Sequence, residues 1–138
     1  IITLEKKLGV NKLSFYKDYF KKIYNQKKLV QNHLEKLKKE GKKIVALGAS
    51  HSTTVLIYHF ELIKFIDYIV DDNKRKHNLY SPGYHLPVFS TKKIYQDNVD
   101  VVLILAWQHQ NKIIEKHKKF NKLKRTFFVP LPKIRILK

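Results

Sequence analysis

The segment Gly48-Ala49-Ser50-His51-Ser52-Thr53-Thr54 gathers hydroxyls and one imidazole directly after an apolar run over residues 43–47. If that run is a strand and a helix follows, the segment opens a helix N-terminus, whose unpaired N–H groups and dipole attract phosphate. The same residues also serve a structural end, with Gly48 making a tight turn and Ser50 or Ser52 capping the helix. One glycine falls short of Gly-x-Gly-x-x-Gly, and no Gly-Lys pair of a phosphate-binding loop follows. Asp71, Asp72 and Asn73 close a second apolar run about 23 residues beyond Gly48. An acid in that place accepts ribose hydroxyls in dinucleotide folds, and an Asx-turn at a strand end is the alternative. His51, His59, His77, His85, His109 and His117 form no His-Glu-x-x-His or paired set, His33 falls in a long helical pattern, and the chain has no cysteine. No metal site is expected. His51, His85 and His109 fall at expected strand ends, where an imidazole either binds or relays a proton or is simply surface. No Ser-His-Asp order or close carboxylate pair stands out, so no catalytic residue is assigned. Trp107 closes the most apolar run as a core residue or as a stacking platform.

These residues need elements to hold them. Residues 12–40 carry Leu13, Tyr16, Phe20, Ile23, Lys27, Val30, Leu34 and Leu37 at alternating steps of three and four, a helical seam over four heptads. Asn11 is the expected N-cap and Gly41 the residue just past the C-terminus. The stripe either packs on the domain's own sheet or a neighbouring domain, or pairs two copies as a coiled coil. Apolar strands are expected over 43–47, 65–70, 86–89, 99–106 and 126–129, with helices over 53–62 and 110–120 and a helical turn over 91–96. Alternating strands and helices, several strands apolar on both faces, predict an α/β fold with a parallel sheet covered by helices. Ligands then sit beyond the carboxyl ends of the strands, at 48–52, 71–73, 106–108 and 130–132. The chain divides into a segment with a long connecting helix, 1–41, and an α/β domain, 42–138.

The chain has 138 residues, 29 of them Lys or Arg against 11 Asp or Glu, for a net charge of +18. Such a charge suggests nucleic acid or an anionic surface. Yet 26 of the basic residues are Lys, whereas base readout and bidentate phosphate clamps favour Arg. The charge is also evenly spread, +9 over residues 1–43 and +9 over 44–138. Nucleic acid is therefore not the expected partner, and the Lys excess reads as composition. No apolar run reaches the ~20 residues that cross a bilayer, and no secretory signal pattern opens the chain. A cytoplasmic location is expected. A chain without Met that begins Ile1-Ile2 reads as a piece of something longer.

Five segments in order carry a resemblance. They are Gly41-Lys42-Lys43-Ile44-Val45-Ala46-Leu47-Gly48-Ala49-Ser50, Ile66-Asp67-Tyr68-Ile69-Val70-Asp71-Asp72-Asn73, Tyr80-Ser81-Pro82-Gly83-Tyr84-His85-Leu86-Pro87-Val88, Leu103-Ile104-Leu105-Ala106-Trp107 and Phe128-Val129-Pro130-Leu131-Pro132. Together they resemble the C-terminal domain of S-adenosylmethionine-dependent C-methyltransferases, which include enzymes acting on nucleotide-linked deoxysugars. The resemblance implies a Rossmann-like three-layer domain with a mostly parallel sheet of about five strands, preceded by the long helix. It further implies a domain that anchors a sugar nucleotide beside a methyl-donor domain upstream in the same chain. Sugar-nucleotide contacts would come from Gly48, Ala49, Ser50, His51 and Ser52, from Asp71, Asp72 and Asn73, from Pro82, Gly83 and His85, and from Trp107 and Gln108. S-adenosylmethionine is then the cofactor of the parent enzyme, bound outside this piece, which has no cofactor of its own and is catalytically incomplete. The chain departs from the family pattern at His51-Ser52-Thr53, where a small residue, a Lys and a second Gly usually follow, and at Gln108, which replaces Asn. The other readings are a nucleotide-cofactor-binding Rossmann-like domain and a Lys-rich protein binding nucleic acid or an anionic surface.

Overall fold

A computed structural model describes residues 2–138. Two helices come first, α1 (Ile2–Leu8) and α2 (Leu13–Lys39). The expected N-cap, Asn11, is not the cap: the turn continues one residue further, and Lys12 supplies the carbonyl that takes the Phe15 N–H. No side chain caps this end. At the other end Lys42 N–H bonds Leu37 O and Gly41 N–H bonds Lys38 O, both at 3.0 Å. That pair is the Schellman arrangement that stops a helix one residue before a glycine.

The sheet follows as β1 (Ile44–Leu47), β2 (Ile69–Asp71), β3 (Val88–Ser90), β4 (Val101–Ile104), β5 (Thr126–Val129) and β6 (Arg135–Leu137), in the spatial order β3-β2-β1-β4-β5-β6. Five strands are parallel and β6 returns antiparallel to β5. The sequence pattern gave five strands; β6 was not among them, because Pro130 and Pro132 mask the start of a short, largely exposed piece. Helix α3 (His51–His59) links β1 to β2, while α4 (Lys93–Gln96), α5 (Gln110–Lys116) and α6 (Lys118–Lys122) serve the later strands. Residues 65–66, expected in the second strand, instead belong to a 3-10 turn, Leu62–Phe65, and its cap. The helix expected over 110–120 breaks at His117 into α5 and α6.

Successive side chains of each strand point to opposite faces and build two cores. Ile44, Ala46, Ile69, Leu103 and Phe128 face Val30 and Leu34 of α2 and Leu56 and Phe60 of α3. Val45, Leu47, Val70, Ile104 and Phe127 face Ile94 of α4, Ile113 of α5 and Phe120 of α6. Helices on both faces leave the carboxyl ends of the parallel strands open along one edge, where the expected site segments 48–52, 71–73 and 106–108 lie; Pro82, Gly83 and His85 instead precede β3, in a hairpin tip at its amino end.

Candidate functional site

The chain leaves β1 toward β2 and leaves β4 toward β5, so the loops after these adjacent strands part in opposite directions. A crevice at such a switch point is where open α/β sheets bind ligands. Gly48 sits at its floor with φ +110°, and a Cβ there would lie 2.8 Å from Ala106 Cβ. Only glycine lets the two loops approach this closely. Above this contact lies a cleft of about 270 Å³ bounded by Asp71 and Asp72 on one wall and by His109, Lys112 and Lys116 of the α5 segment on the other.

The acidic segment divides its work. Asp71 Oδ2 accepts the Ala49 N–H at 2.7 Å and the Lys76 ammonium at 3.1 Å, and Oδ1 accepts the Asn73 N–H at 2.8 Å. Its side chain is only 13% exposed. Asp71 is thus a latch tying the end of β2 to the loop after β1, and Asn73 makes a second local turn by accepting the Arg75 N–H at 3.0 Å. Asp72 accepts the Thr91 hydroxyl at 3.0 Å and pairs with Lys116 at 2.8 Å, yet its side chain remains 44% exposed toward the cleft. Burial pushes the Asp72 carboxyl up, but the Lys116 ammonium and the Thr91 hydroxyl outweigh it and hold it below the ordinary carboxylate value.

The loop after β1 is equally committed. Gly48 N–H bonds Val70 O, Ala49 N–H is taken by Asp71, and Ser50 N–H bonds Thr53 Oγ1 at 2.8 Å. Ser50 Oγ in turn accepts the Thr53 N–H, completing a capping box. The N–H groups of His51 and Ser52 are the ones left for a ligand. Ala49, Ser50 and His51 also border a second cleft of about 510 Å³, closed on its far side by Lys76, Tyr80 and Pro82. The loop carrying Pro82 is fastened to α3: Tyr84 stacks on Tyr58 with ring centroids 4.2 Å apart, and Gly83 packs so tightly that a Cβ would meet the Tyr58 hydroxyl.

Trp107 and Ser52 lie elsewhere, in an apolar groove of about 720 Å³ between α2, α3 and residues 131–133. Trp107 touches both cores as well, so it is wall and packing residue together. Asn73, Gly83, His85 and Gln108 line none of these three hollows; His85 is exposed at φ +51° and Gln108 is exposed on a 3-10 turn. Lys76, Lys112 and Lys116 escape a reading of the sequence because no single lysine stands out among 26. The signal that points to two of them is spacing: His109, Lys112 and Lys116 share one face of the helix after β4. Among the described residues no three His, Asp or Glu side chains converge to hold a metal.

Five parallel strands ordered 3-2-1-4-5, helices on both faces and a crevice at the switch point define a Rossmann-like α/β domain. A family model described as the C-methyltransferase C-terminal domain matches residues 1–132, and the chain belongs to that family. Among solved structures, UDP-D-quinovosamine 4-dehydrogenase from Vibrio fischeri is similar at 22% identity over 67% of this chain and 79% of its own, with a TM-score of 0.47. No curated protein matches the chain.

Proposed function

We propose that this domain anchors the nucleotide-linked sugar of a C-methyltransferase and supplies binding rather than bond-making groups. The observation that carries the reading is the switch-point cleft, where two lysines and a partly free carboxylate face the loop after β1. A diphosphate suits Lys112 and Lys116, while Asp72 suits hydroxyls of a ribose. Of the residues that the family resemblance nominates, Gly48, Asp71 and Asp72 line this cleft, and the N–H groups of Ala49 and Asn73 brace Asp71 from behind. Binding energy gathered on the nucleotide, remote from the reacting carbon, positions the sugar and lowers the barrier of a reaction completed by other parts of the enzyme.

The methyl donor expected of such an enzyme is S-adenosylmethionine, and the residues present here do not fit it. Asp71, which stands where an acid would receive the donor's ribose, is filled by three donors of its own chain. The loop after β1 has one glycine, and its first three N–H groups are spent internally. The same facts weigh against NAD-type cofactors. Donor binding is therefore assigned to another part of the enzyme.

Isothermal titration of the domain with a nucleoside-diphosphate sugar, the free nucleoside diphosphate, NAD and S-adenosylmethionine tests this reading. The sugar nucleotide and the free diphosphate should bind, and Lys112→Ala and Lys116→Ala should each weaken both about tenfold, the scale of one charge-assisted contact. Binding of NAD or S-adenosylmethionine alone would overturn it.

A further inference from the structure

Helix α2 is ~40 Å long at 1.5 Å per residue, and its two halves have different fates. In the C-terminal half the heptad seam is used: Val30 and Leu34 are fully buried against the sheet. In the N-terminal half the same seam faces outward, with Leu13 70%, Tyr16 55% and Phe20 63% exposed. Helix α1 adds Ile2, Leu4 and Leu8, all exposed. From Ile23 the stripe runs into the apolar groove walled by Tyr19, Leu29, Val55, Trp107 and Pro132. A continuous apolar surface of this kind marks an interaction face rather than scattered exposure.

We propose that this stripe and groove seat the preceding part of the same C-methyltransferase polypeptide, which meets them with an apolar surface rimmed by carboxylates. Charge chooses this occupant over a second copy of the domain. Residues 2–29 carry eight Lys against Glu5 and Asp18, and among the described residues only Lys27 of these lysines is ion-paired, to Glu61. Two copies joined here would press two faces of net +6 together, whereas an acidic rim would neutralise them. Connectivity points the same way. The family is defined as a C-terminal domain, so whatever precedes it enters through α1 and α2 and is tethered beside this face at high effective concentration. Because the groove also holds Ser52 and Trp107, at the carboxyl edge of the sheet, such a partner would border the clefts and close the reaction space from the α2 side. The inference rests on family membership and exposed surface, so it stands or falls separately from sugar-nucleotide binding.

Amide hydrogen exchange in the full-length enzyme, compared with the isolated domain, tests it. Residues 13–24 should exchange at least tenfold more slowly in the full-length enzyme, and Phe20→Asp there should remove the difference while leaving the Tm of the isolated domain unchanged. Sedimentation of the isolated domain should show a monomer. Equal exchange in the two proteins would overturn the proposal, as would a dimer of the isolated domain that Phe20→Asp dissociates, since the occupant would then be a second copy.

Discussion

At the scale of single residues, Gly83 shows how a loop without secondary structure is held in place. Its φ of +78° suits glycine, and its missing side chain leaves the room that the Tyr58 hydroxyl occupies. Gly83→Ala combines a strained backbone with the loss of the Tyr58–Tyr84 stack, together worth about 1.5–4.5 kcal/mol. Thermal unfolding should register that loss, and an unchanged Tm would show that the loop is not fastened through this contact. His117 is the second informative residue. It is 5% exposed, its Nδ1 meets the Tyr95 hydroxyl at 3.1 Å, and its Nε2 has no partner among the described residues. Burial pushes its imidazole below the ordinary value of 6.5, with Asp72 pulling it up and Lys116 pushing it further down. As pH falls through 6.5 the unfolded chain takes up a proton that the folded chain still refuses, so the unfolded state binds more protons and stability drops. Denaturant unfolding at pH 7.5 and 5.5 should therefore show a smaller pH effect for His117→Gln than for the unaltered protein. Equal pH effects would mean that His117 takes up its proton as readily in the fold as in the unfolded chain.

The elements divide between those anchored in the cores and those that project. Leu34→Ala in the buried half of α2 should cost about 2–5 kcal/mol, because it leaves a cavity between helix and sheet. Leu13→Ala, on the same seam nearly three turns before Ile23, the first residue of α2 packed against a core, should stay within about 0.5 kcal/mol in the isolated domain. Paired denaturation curves decide this, and comparable losses would mean that the exposed half also packs. The seam shows what a sequence can and cannot tell. Its period marks a helix and an apolar face correctly, but Leu13 and Leu34 are indistinguishable by type and spacing, and only the reach of the sheet separates them. The parallel strands were legible because Val101-Val102-Leu103-Ile104 and its like are apolar on both faces. Strand β6 was not legible, since Arg135-Ile136-Leu137 is short and pairs through its backbone with β5. The turn at Leu62–Phe65 misled for a related reason: its apolar residues are buried, and burial alone does not separate a tight turn from a strand. At the site, the neighbourhood of Gly48, Asp71 and Trp107 could be read from strand ends. The roles could not, because the bonds that commit Asp71 to Ala49 and Lys76 depend on distances across the fold.

For the whole molecule the governing quantity is charge. Nine ion pairs were found among the described residues, and most join side chains with substantial exposure. Exposed pairs are each worth about 0–1 kcal/mol, and salt weakens them. Against them stands a net charge of +18 spread over both halves of the chain, whose mutual repulsion salt also weakens. Which effect dominates sets the sign of the salt dependence. Most of the 29 basic side chains have no acidic partner to lose, since only 11 acids exist to meet them. Repulsion therefore wins in the isolated domain. Raising NaCl from ~10 to ~150 mM shortens the screening length from about 30 to about 8 Å, which reaches the spacing between neighbouring lysines. The Tm should rise by about 3–5 °C, corresponding to roughly 1 kcal/mol for a domain of this size. A Tm that falls with salt would mean that the ion pairs outweigh the field. In the full-length enzyme the rise should be smaller if acidic groups already neutralise α1 and the free half of α2, because a cation beside a carboxylate has little repulsion left for salt to relieve.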